Sequence, residues 1–316
     1  METTNKVVIR GAKSFLAHTP GLVSHGSKPV REINADPNEQ SVIRSGLRSY
    51  EKAASYLPNV AYLGGVSPDK LSKFERPWYD LDREFSRRYE HGEIMPEEEF
   101  YGVMKAIDPF DLIWLNQKFS DETRSSLIDH PFWSENELNR LEKGESDEII
   151  NEQINEKKGN IPLTLRNGSL IGVLNRAHDL DASLFSDVLL ENLACKAAAV
   201  MATKTLLGEL NVDPNSIPYI LNSGEEAVGD RYQRGGGNLA KAIGEDSGCE
   251  NATGADVKAF CCGPNHAIAM GASLISSGIF ERVLVVGGCS LAKLGMKYQG
   301  HLNNSMPIVE DVLAGA

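Results

Sequence analysis

The sequence has no long apolar run and comparatively little positive charge. None of the apolar stretches in its 316 residues approaches the roughly 20 residues of a membrane-spanning helix, and the N-terminal residues METTNKVVIRG lack the apolar segment of a signal peptide. Lysine and arginine number 32 against 44 acidic residues, so the net charge is −12. That balance argues against a nucleic-acid partner, because phosphate backbones bind basic surfaces. The composition therefore predicts a cytoplasmic enzyme or enzyme subunit without a membrane partner.

Cysteines are few, odd in number and without metal-binding spacing. There are five of them, Cys195, Cys249, Cys261, Cys262 and Cys289. An odd number in a long chain is typical of reduced thiols and not of a disulfide framework. The chain has no C-x-x-C pair, and the cysteines together with His266 match no standard zinc-ligand spacing. We therefore expect no metal site.

Strand-like and helix-like segments alternate along the second half of the chain. This alternation with short connections predicts a mixed or parallel sheet with helices packed on its faces. The predicted strands are 7–18, 218–224, 255–260 and 281–288, with an Asn-Gly hairpin over 163–174. The predicted helices are 96–106, one or two amphipathic helices within 134–158 that break at Gly144, and 184–210, 238–248 and 263–280.

The segment DVKAFCCGPNHAIAMG (256–271) carries the clearest chemical signal. A strand is predicted to end at Phe260, and a helix is predicted to begin near Gly263, because proline at its first turn costs no hydrogen bond. Cys261 and Cys262 would then lie at the positive end of the helix dipole, which stabilises a nucleophilic thiolate. Small residues along the helix predict that it packs deeply, with Ile268 on its inner face. The local pattern alone leaves catalysis and core packing equally open.

Two further features are candidate parts of a site. The run RGGGNLAK (234–241) places Gly235, Gly236, Gly237 and Asn238 before a helix, which is the general form of an anion- or substrate-binding loop. It matches no nucleotide-binding motif, and a flexible or closely packed loop is the alternative. His266 is interpreted as a hydrogen-bonded core histidine that could support the thiol site, together with Gly263.

Several separated motifs carry a family resemblance. The stretches EEAVGD and QRGGGNLAKAIGE (within 225–245), NATGADVKAFCCGPNHAI (251–268), AKLGM (292–296) and MPIVEDVL (306–313) resemble the β subunit of component C of the glycine, sarcosine and betaine reductases. The stretches LRSYEKAASYLPN (47–59), RPWYD (76–80), GEIMPEEEFYGVMK (92–105) and RAHD (176–179) resemble the same family. The order of strands and helices around Cys261 is also similar to the N-terminal half of the thiolase fold, in its ketoacyl synthase III branch.

The resemblance implies a fold and its limits. It implies an α/β, thiolase-like N-terminal half with a large inserted α-rich region and with the second half absent. In this interpretation residues 1–19 hold the first strand of the core, 20–160 form the inserted subdomain, and 161–316 form the remainder of the half. We expect the remainder to be incomplete, with the chain ending where the strand that completes the half-sheet should begin. The general base and part of the oxyanion hole, which the second half supplies in catalytic thiolase-fold members, would then be missing, so the isolated chain is expected to be inactive.

The resemblance also implies an activity. Component C receives a carboxymethyl group as a selenoether on selenoprotein A, converts it into an enzyme-bound acetyl thioester and releases acetyl phosphate. Cys261 corresponds to the family's thiol, and the adjacent Cys262 keeps the assignment between the two open. The implied partners are the component C α subunit and selenoprotein A, in a homo- or hetero-oligomer, with phosphate as the acyl acceptor and no cofactor in this chain. The alternatives are a ketoacyl synthase III-like acyltransferase and a scaffold subunit that seats the α subunit.

Overall fold

The computed structural model describes residues 6–80, 84–156, 159–225, 230, 233 and 238–316. The strands are β1 (Ser14–His18), β2 (Arg88–Tyr89), β3 (Gly92–Met95), β4 (Ile113–Leu115), β5 (Ile161–Thr164), β6 (Leu170–Leu174), β7 (Tyr219–Asn222), β8 (Thr253–Asp256), β9 (Leu284–Val286) and β10 (Val312–Gly315). The α-helices are α1 (Ser27–Ala35), α2 (Glu39–Ser45), α3 (Tyr50–Ala54), α4 (Leu57–Tyr62), α5 (Pro68–Leu71), α6 (Glu97–Ala106), α7 (Gln117–Ile128), α8 (Asp147–Glu156), α9 (Ser186–Glu209), α10 (Leu239–Asp246), α11 (Gly263–Ser276) and α12 (Tyr298–Asn303).

The strands of the core form two sheets, which are joined where the residues after β9 pair with the end of β10. One has the order β10-β1-β3-β2 and the other is parallel with the order β8-β7-β9. An antiparallel bridge between Gly288 and Gly315 joins them, and the N–H groups of Gly287 and Ala316 each donate to the other residue's carbonyl. Because β10 runs antiparallel to β1, strands β1, β3, β7, β8 and β9 point the same way. The predicted mixed sheet with helices on its faces is thus confirmed.

Helix α9 lies across this junction and is the centre of the core. Nearly all of its residues are buried, on every side of the helix. The alanines in its middle allow neighbouring elements to pack closely around it. It packs on β1, β9 and β10 and also contacts α6 and α10. The approach is close because the strands present glycines there: a Cβ at Gly288 would lie 2.0 Å from the carbonyl oxygen of Cys195, and one at Gly315 would lie 2.2 Å from that of Ala198.

Most of the predicted elements are present with small shifts. The helix predicted from Pro96 is α6, with Pro96 as its N-cap residue, and the Asn-Gly hairpin is β5–β6, where Gly168 takes the φ of 86° that the turn needs. The predicted break at Gly144 separates a 3-10 segment, Glu135–Leu141, from α8. The predicted helices at 184–210 and 238–248 are α9 and α10.

Two predictions about strands were wrong. The strand expected over 7–18 is confined to β1, and Val8 and Ile9 are exposed outside it, because pairing with β3 and β10 begins only at Ser14 and Phe15. The strand expected over 255–260 is β8, which covers only Thr253–Asp256, because its partner β7 ends opposite Asp256. Near the C-terminal end of the sequence, residues 312–315 form β10, which pairs with β1 and is bridged to Gly288 after β9.

The region from 20 to 160 is tied into the same framework. Strand β3 pairs in parallel with β1, and β4 pairs with β6 in a third, antiparallel sheet of order β4-β6-β5. Strands within 20–160 therefore pair with strands on either side of it in the sequence, and the boundaries at 19 and 160 stay a prediction. Across the described parts of the chain, the helices are all too short or too polar to cross a membrane.

Candidate active site at the exits of the parallel strands

Three parallel strands, β7, β8 and β9, deliver their C-terminal ends to one edge of the sheet. Ser223 follows β7, Lys258 and the two cysteines follow β8, and Cys289 follows β9. Ligand sites of open α/β sheets lie in the crevice outside such carboxyl ends. This edge is therefore where the chemistry of the described residues is concentrated.

Cys261 and Cys262 occupy the predicted strand-to-helix turn. They end a short 3-10 segment, Phe260–Cys262, and α11 begins at the next residue, Gly263. Both thiols are exposed. No side chain among the described residues caps the first turn of α11, so the partial positive charge of the helix N-terminus faces the thiols and solvent.

The turn that carries the two cysteines packs closely on the residues after β7, and its backbone is strained at Phe260. A Cβ at Gly263 would lie 3.3 Å from the carbonyl oxygen of Ser223, and one at Gly287 would lie 2.9 Å from the N–H nitrogen of Gly224. The start of α11 and the residues after β9 thus both pack closely on the residues that follow β7. Phe260, directly before Cys261, has a φ of 47°, which costs a bulky residue roughly 1–3 kcal/mol and is found most often at functional sites.

The predictions that α11 is buried and that His266 is a core residue were wrong. Only Gly263, Ala267 and Gly271 of the helix are buried, and these small residues pack on β7 and β9. Ile268, which was expected on the inner face, is 46% exposed. His266 is exposed as well. The helix lies so close to the sheet that only its face of glycine and alanine residues fits there, and the face with the larger side chains is turned away.

The candidate anion loop is only partly described. Gly235, Gly236 and Gly237 lie outside the described residues. Asn238 is the N-cap of α10, where its side chain accepts a hydrogen bond from the N–H of Lys241. The carboxylate of Asp256, at the end of β8, accepts from the N–H groups of Leu239 and Ala240. The described part of this helix start therefore binds groups of the protein itself.

Two lysines join the thiols at this edge, and sequence reasoning assigned a role to neither. Lys258 donates from Nζ to the carbonyl oxygen of Gly224 at 2.8 Å, and Lys293 forms an ion pair with Glu225. The hydrogen bond to Glu225 raises the pKa of Lys293, and the negative charges that Cys289 and Cys261 carry when ionised raise it further. The sequence feature that could have drawn attention to Lys293 is its place in the AKLGM stretch, shortly after the predicted strand 281–288.

The remaining cysteines are poorer nucleophiles. Cys195 is fully buried on α9, which agrees with its interpretation as a core residue. Burial raises the pKa of the Cys249 thiol to about 11. Burial also raises the pKa of Cys289, and its proximity to Lys293 offsets only part of that effect. Cys261 and Cys262, at the start of α11, are the two exposed thiols of the five, so they are the ones that a substrate can reach directly.

Other features of the described residues lie away from this edge. A cavity of about 380 Å³ in the 20–160 region is lined by Ser86, Arg87, Arg88, Ser126, Asp129, His130 and Pro131. Its arginines already pair with Glu93 and Glu99. Three or more histidine, cysteine or acidic side chains suited to hold a metal ion do not come together anywhere in the described ranges.

The chain was compared with known proteins. It is 38% identical over 317 residues to the glycine/sarcosine/betaine reductase complex component C subunit beta of Peptoclostridium acidaminophilum, and the match covers 98% of this chain and 61% of that protein. Among solved structures, the priming β-ketosynthase of a polyketide biosynthetic pathway aligns with a TM-score of 0.29 and 25% identity over 38% of this chain and 34% of that one. No family model matches the sequence. The resemblance inferred from the motifs is thus confirmed: the chain is similar along nearly its whole length to the component C β subunit and spans about three fifths of it.

Proposed function

We propose that this chain is part of the acetyl phosphate-forming component of a glycine, sarcosine or betaine reductase, with Cys261 as the acetyl-carrying thiol. One observation carries the proposal. In a chain so similar to a component C β subunit, an exposed cysteine stands just before α11, whose N-cap residue makes no side-chain capping bond among the described residues, at the exit of a parallel sheet. A thiolase-like fold, the α subunit as partner and selenoprotein A as group donor belong to the same proposal.

The proposed step is acyl transfer from sulfur to phosphate. A phosphate oxygen attacks the thioester carbonyl, the new C–O bond forms, the C–S bond breaks, and the sulfur leaves as a thiolate. The products are acetyl phosphate and free Cys261, so the step needs no oxidant or reductant. The N-terminus of α11 stabilises the leaving sulfur anion, and backbone N–H groups near the thiol can serve as donors to the carbonyl oxygen.

The test uses the chain assembled with its partner components. Cys261→Ser is expected to abolish acetyl phosphate formation, because a serine hydroxyl at neutral pH is neither a comparable nucleophile nor a comparable leaving group. Quenching the working complex with acid and digesting it should place an acetyl group on Cys261, as read by mass spectrometry.

Cys262→Ser and Cys289→Ser are the matched controls. Both are expected to keep most of the activity and to leave the acetylated peptide in place. Acetylation on Cys262 with full activity in Cys261→Ser would move the role to the second thiol. Unchanged acetyl phosphate formation in Cys261→Ser, in Cys262→Ser and in the variant that carries both substitutions would refute the proposal.

A scaffold role is the second candidate, and exposed apolar residues just before and just after α11 favour it. Phe260 is 86% exposed and Ile279 is 63% exposed, which is typical of a surface that another polypeptide covers. In that case Cys261→Ser keeps acetyl phosphate formation, whereas Ile279→Lys weakens co-purification with the α subunit.

A further inference from the structure

We infer that Asn222 is a positioning residue of the thiol site, because its side-chain amide fixes the turn on which both ends of the segment that carries Cys261 and Cys262 rest. The inference rests on the proposed function, since it concerns the position of the thiol that would carry the acetyl group. Asn222 acts through the backbone and not on the acetyl group itself.

The side chain of Asn222 shapes the turn that follows β7. Asn222 is fully buried, and its Oδ1 accepts a hydrogen bond from the N–H of Gly224 at 2.9 Å, which is the bond of an Asx turn. Its Nδ2 donates to Oδ1 of Asp256 at 3.0 Å, and these two residues are partners in the register of β7 with β8. One amide group thus fixes the turn and joins it to the strand that leads to Cys261.

Both ends of the thiol-bearing segment lie on this turn. Before the cysteines, the N–H of Val257 donates to the carbonyl oxygen of Asn222 at 2.7 Å. After them, a Cβ at Gly263 would lie 3.3 Å from the carbonyl oxygen of Ser223 and 3.5 Å from that of Val257. The residues from 258 to 262 therefore form a short loop whose two ends share one support, so a displacement of the turn would move both thiols.

Neighbouring contacts keep the turn in one position. Nζ of Lys258 donates to the carbonyl oxygen of Gly224 at 2.8 Å, and the N–H of Ser223 donates to that of Val286, on β9, at 2.7 Å. The carboxylate of Asp256 also accepts from the first N–H groups of α10. The exits of three strands and the start of a helix are thus held together at the turn, and support of this kind keeps a reactive group in its productive geometry.

Loss of the Asn222 amide would release the turn. In Asn222→Ala the N–H of Gly224 loses its acceptor and the carboxylate of Asp256 loses a donor. The segment resting on the turn is then free to shift. A shift of about 1 Å at a reacting atom can lower kcat by about two orders of magnitude.

Hydrogen exchange tests the positioning without any acyl chemistry. Several N–H groups within 257–263 are hydrogen-bonded, so the deuterium uptake of a peptide that covers this range reports how firmly the loop is held. Asn222→Ala is expected to raise that exchange rate at least about tenfold at pH 7, while peptides of α9 stay within about twofold. Lys258→Met changes a half-buried side chain and should fold normally, and it is expected to show the same local increase to a smaller degree.

Acetyl phosphate formation by the assembled complex tests what the position serves. At a temperature where the variants are folded, Asn222→Ala should lower kcat about ten- to a hundredfold and keep the KM for phosphate within about threefold, because only the thiol is displaced. Asn222→Asp should lower kcat similarly, since two carboxyl groups would face each other. Asn222→Asp with Asp256→Asn should recover most of that loss, because donor and acceptor are exchanged across the two strands.

Asn116→Ala is the matched control, because the Asn116 side chain also accepts a hydrogen bond from a backbone N–H, that of Phe119 at 2.8 Å, but at the start of α7. It should change neither the exchange of 257–263 nor kcat. Unchanged exchange or unchanged kcat in Asn222→Ala, or no recovery in the double variant, would each overturn the inference. A wild-type complex without acetylated Cys261 refutes the proposed function instead, and the exchange measurement then still decides whether Asn222 fixes the turn.

Discussion

Removing Arg48 should strongly destabilise the fold, because it leaves a buried carboxylate without its counter-charge. Asp311 is fully buried, just before β10, and accepts from Nε of Arg48 at 3.1 Å and from its Nη2. Nε2 of His18, at the end of β1, lies 3.4 Å from the same carboxylate. Burial alone would raise the pKa of Asp311, but the Arg48 charge and the His18 contact outweigh it and lower this pKa to about 2.

The magnitude follows from these contacts. A pKa lowered from 3.8 to about 2 corresponds to roughly 2 kcal/mol of stability at neutral pH. Breaking a buried pair by removing one partner costs about 3–5 kcal/mol, because the remaining charge stays desolvated. Arg48→Met is therefore expected to lower the free energy of unfolding by about 3–5 kcal/mol at pH 7, and Arg48→Met with Asp311→Asn should recover most of that loss.

The stability of Arg48→Met should depend on pH differently from the stability of the wild type. In the wild type the folded pKa of Asp311 lies below its unfolded value, so its contribution is complete above about pH 4 and is lost as the pH falls towards 2. Without Arg48, burial dominates and raises the pKa of Asp311, so the variant should gain stability as the pH falls from 7 to 5.

Urea unfolding from pH 5 to pH 8 measures these effects, and Arg31→Met, on a residue whose side chain is 72% exposed, is the control that should change stability by less than about 0.5 kcal/mol. A loss below about 1 kcal/mol at pH 7 in Arg48→Met, or the same loss at pH 5 and pH 7, would refute the reasoning.

Three further outcomes are expected. Gly288→Ala should lower the free energy of unfolding by about 3 kcal/mol or more, since the added Cβ would lie 2.0 Å from the backbone oxygen of Cys195; a thermal melt within 2 °C of wild type would contradict this packing. Iodoacetamide at pH 7 should label Cys261 before Cys249, whose pKa burial raises to about 11; peptide mapping that finds Cys249 labelled first would show a different environment. Asn238→Ala should cost about 1 kcal/mol through the lost N-cap, measured by urea unfolding, and no loss would mean that Asp256 alone satisfies that helix start.

The sequence predicted helix starts and turns well where they depend on the preferences of a few neighbouring residues. Pro96 and Asn238 stand at helix starts, and Asn167-Gly168 makes the hairpin turn, because these preferences depend on the backbone of a few neighbouring residues. For the same reason α11 was predicted to begin near Gly263, where it does begin, and the position of Cys261 and Cys262 before it followed from that.

Predictions that depended on what an element packs against failed. The apolar row of α11 was taken for its inner face, but the sheet accepts the Gly263–Ala267–Gly271 face because the closeness of its strands excludes bulk. His266 was placed in the core on the same assumption and is exposed. Hydrophobic periodicity reports which residues avoid water, and it does not report which of two apolar faces another surface covers.

The sequence by itself determined the order of strands and helices, the turn that carries the paired thiols and the similarity to the component C β subunit. Each depends on neighbouring residues or on residue identity alone. Only the tertiary structure decided that residues 312–315 lie between β1 and β9, and that Lys293 pairs with Glu225 at the exits of the parallel strands. These contacts join residues up to about 300 positions apart, and they exist because the strands pair in one particular order, which no local pattern specifies.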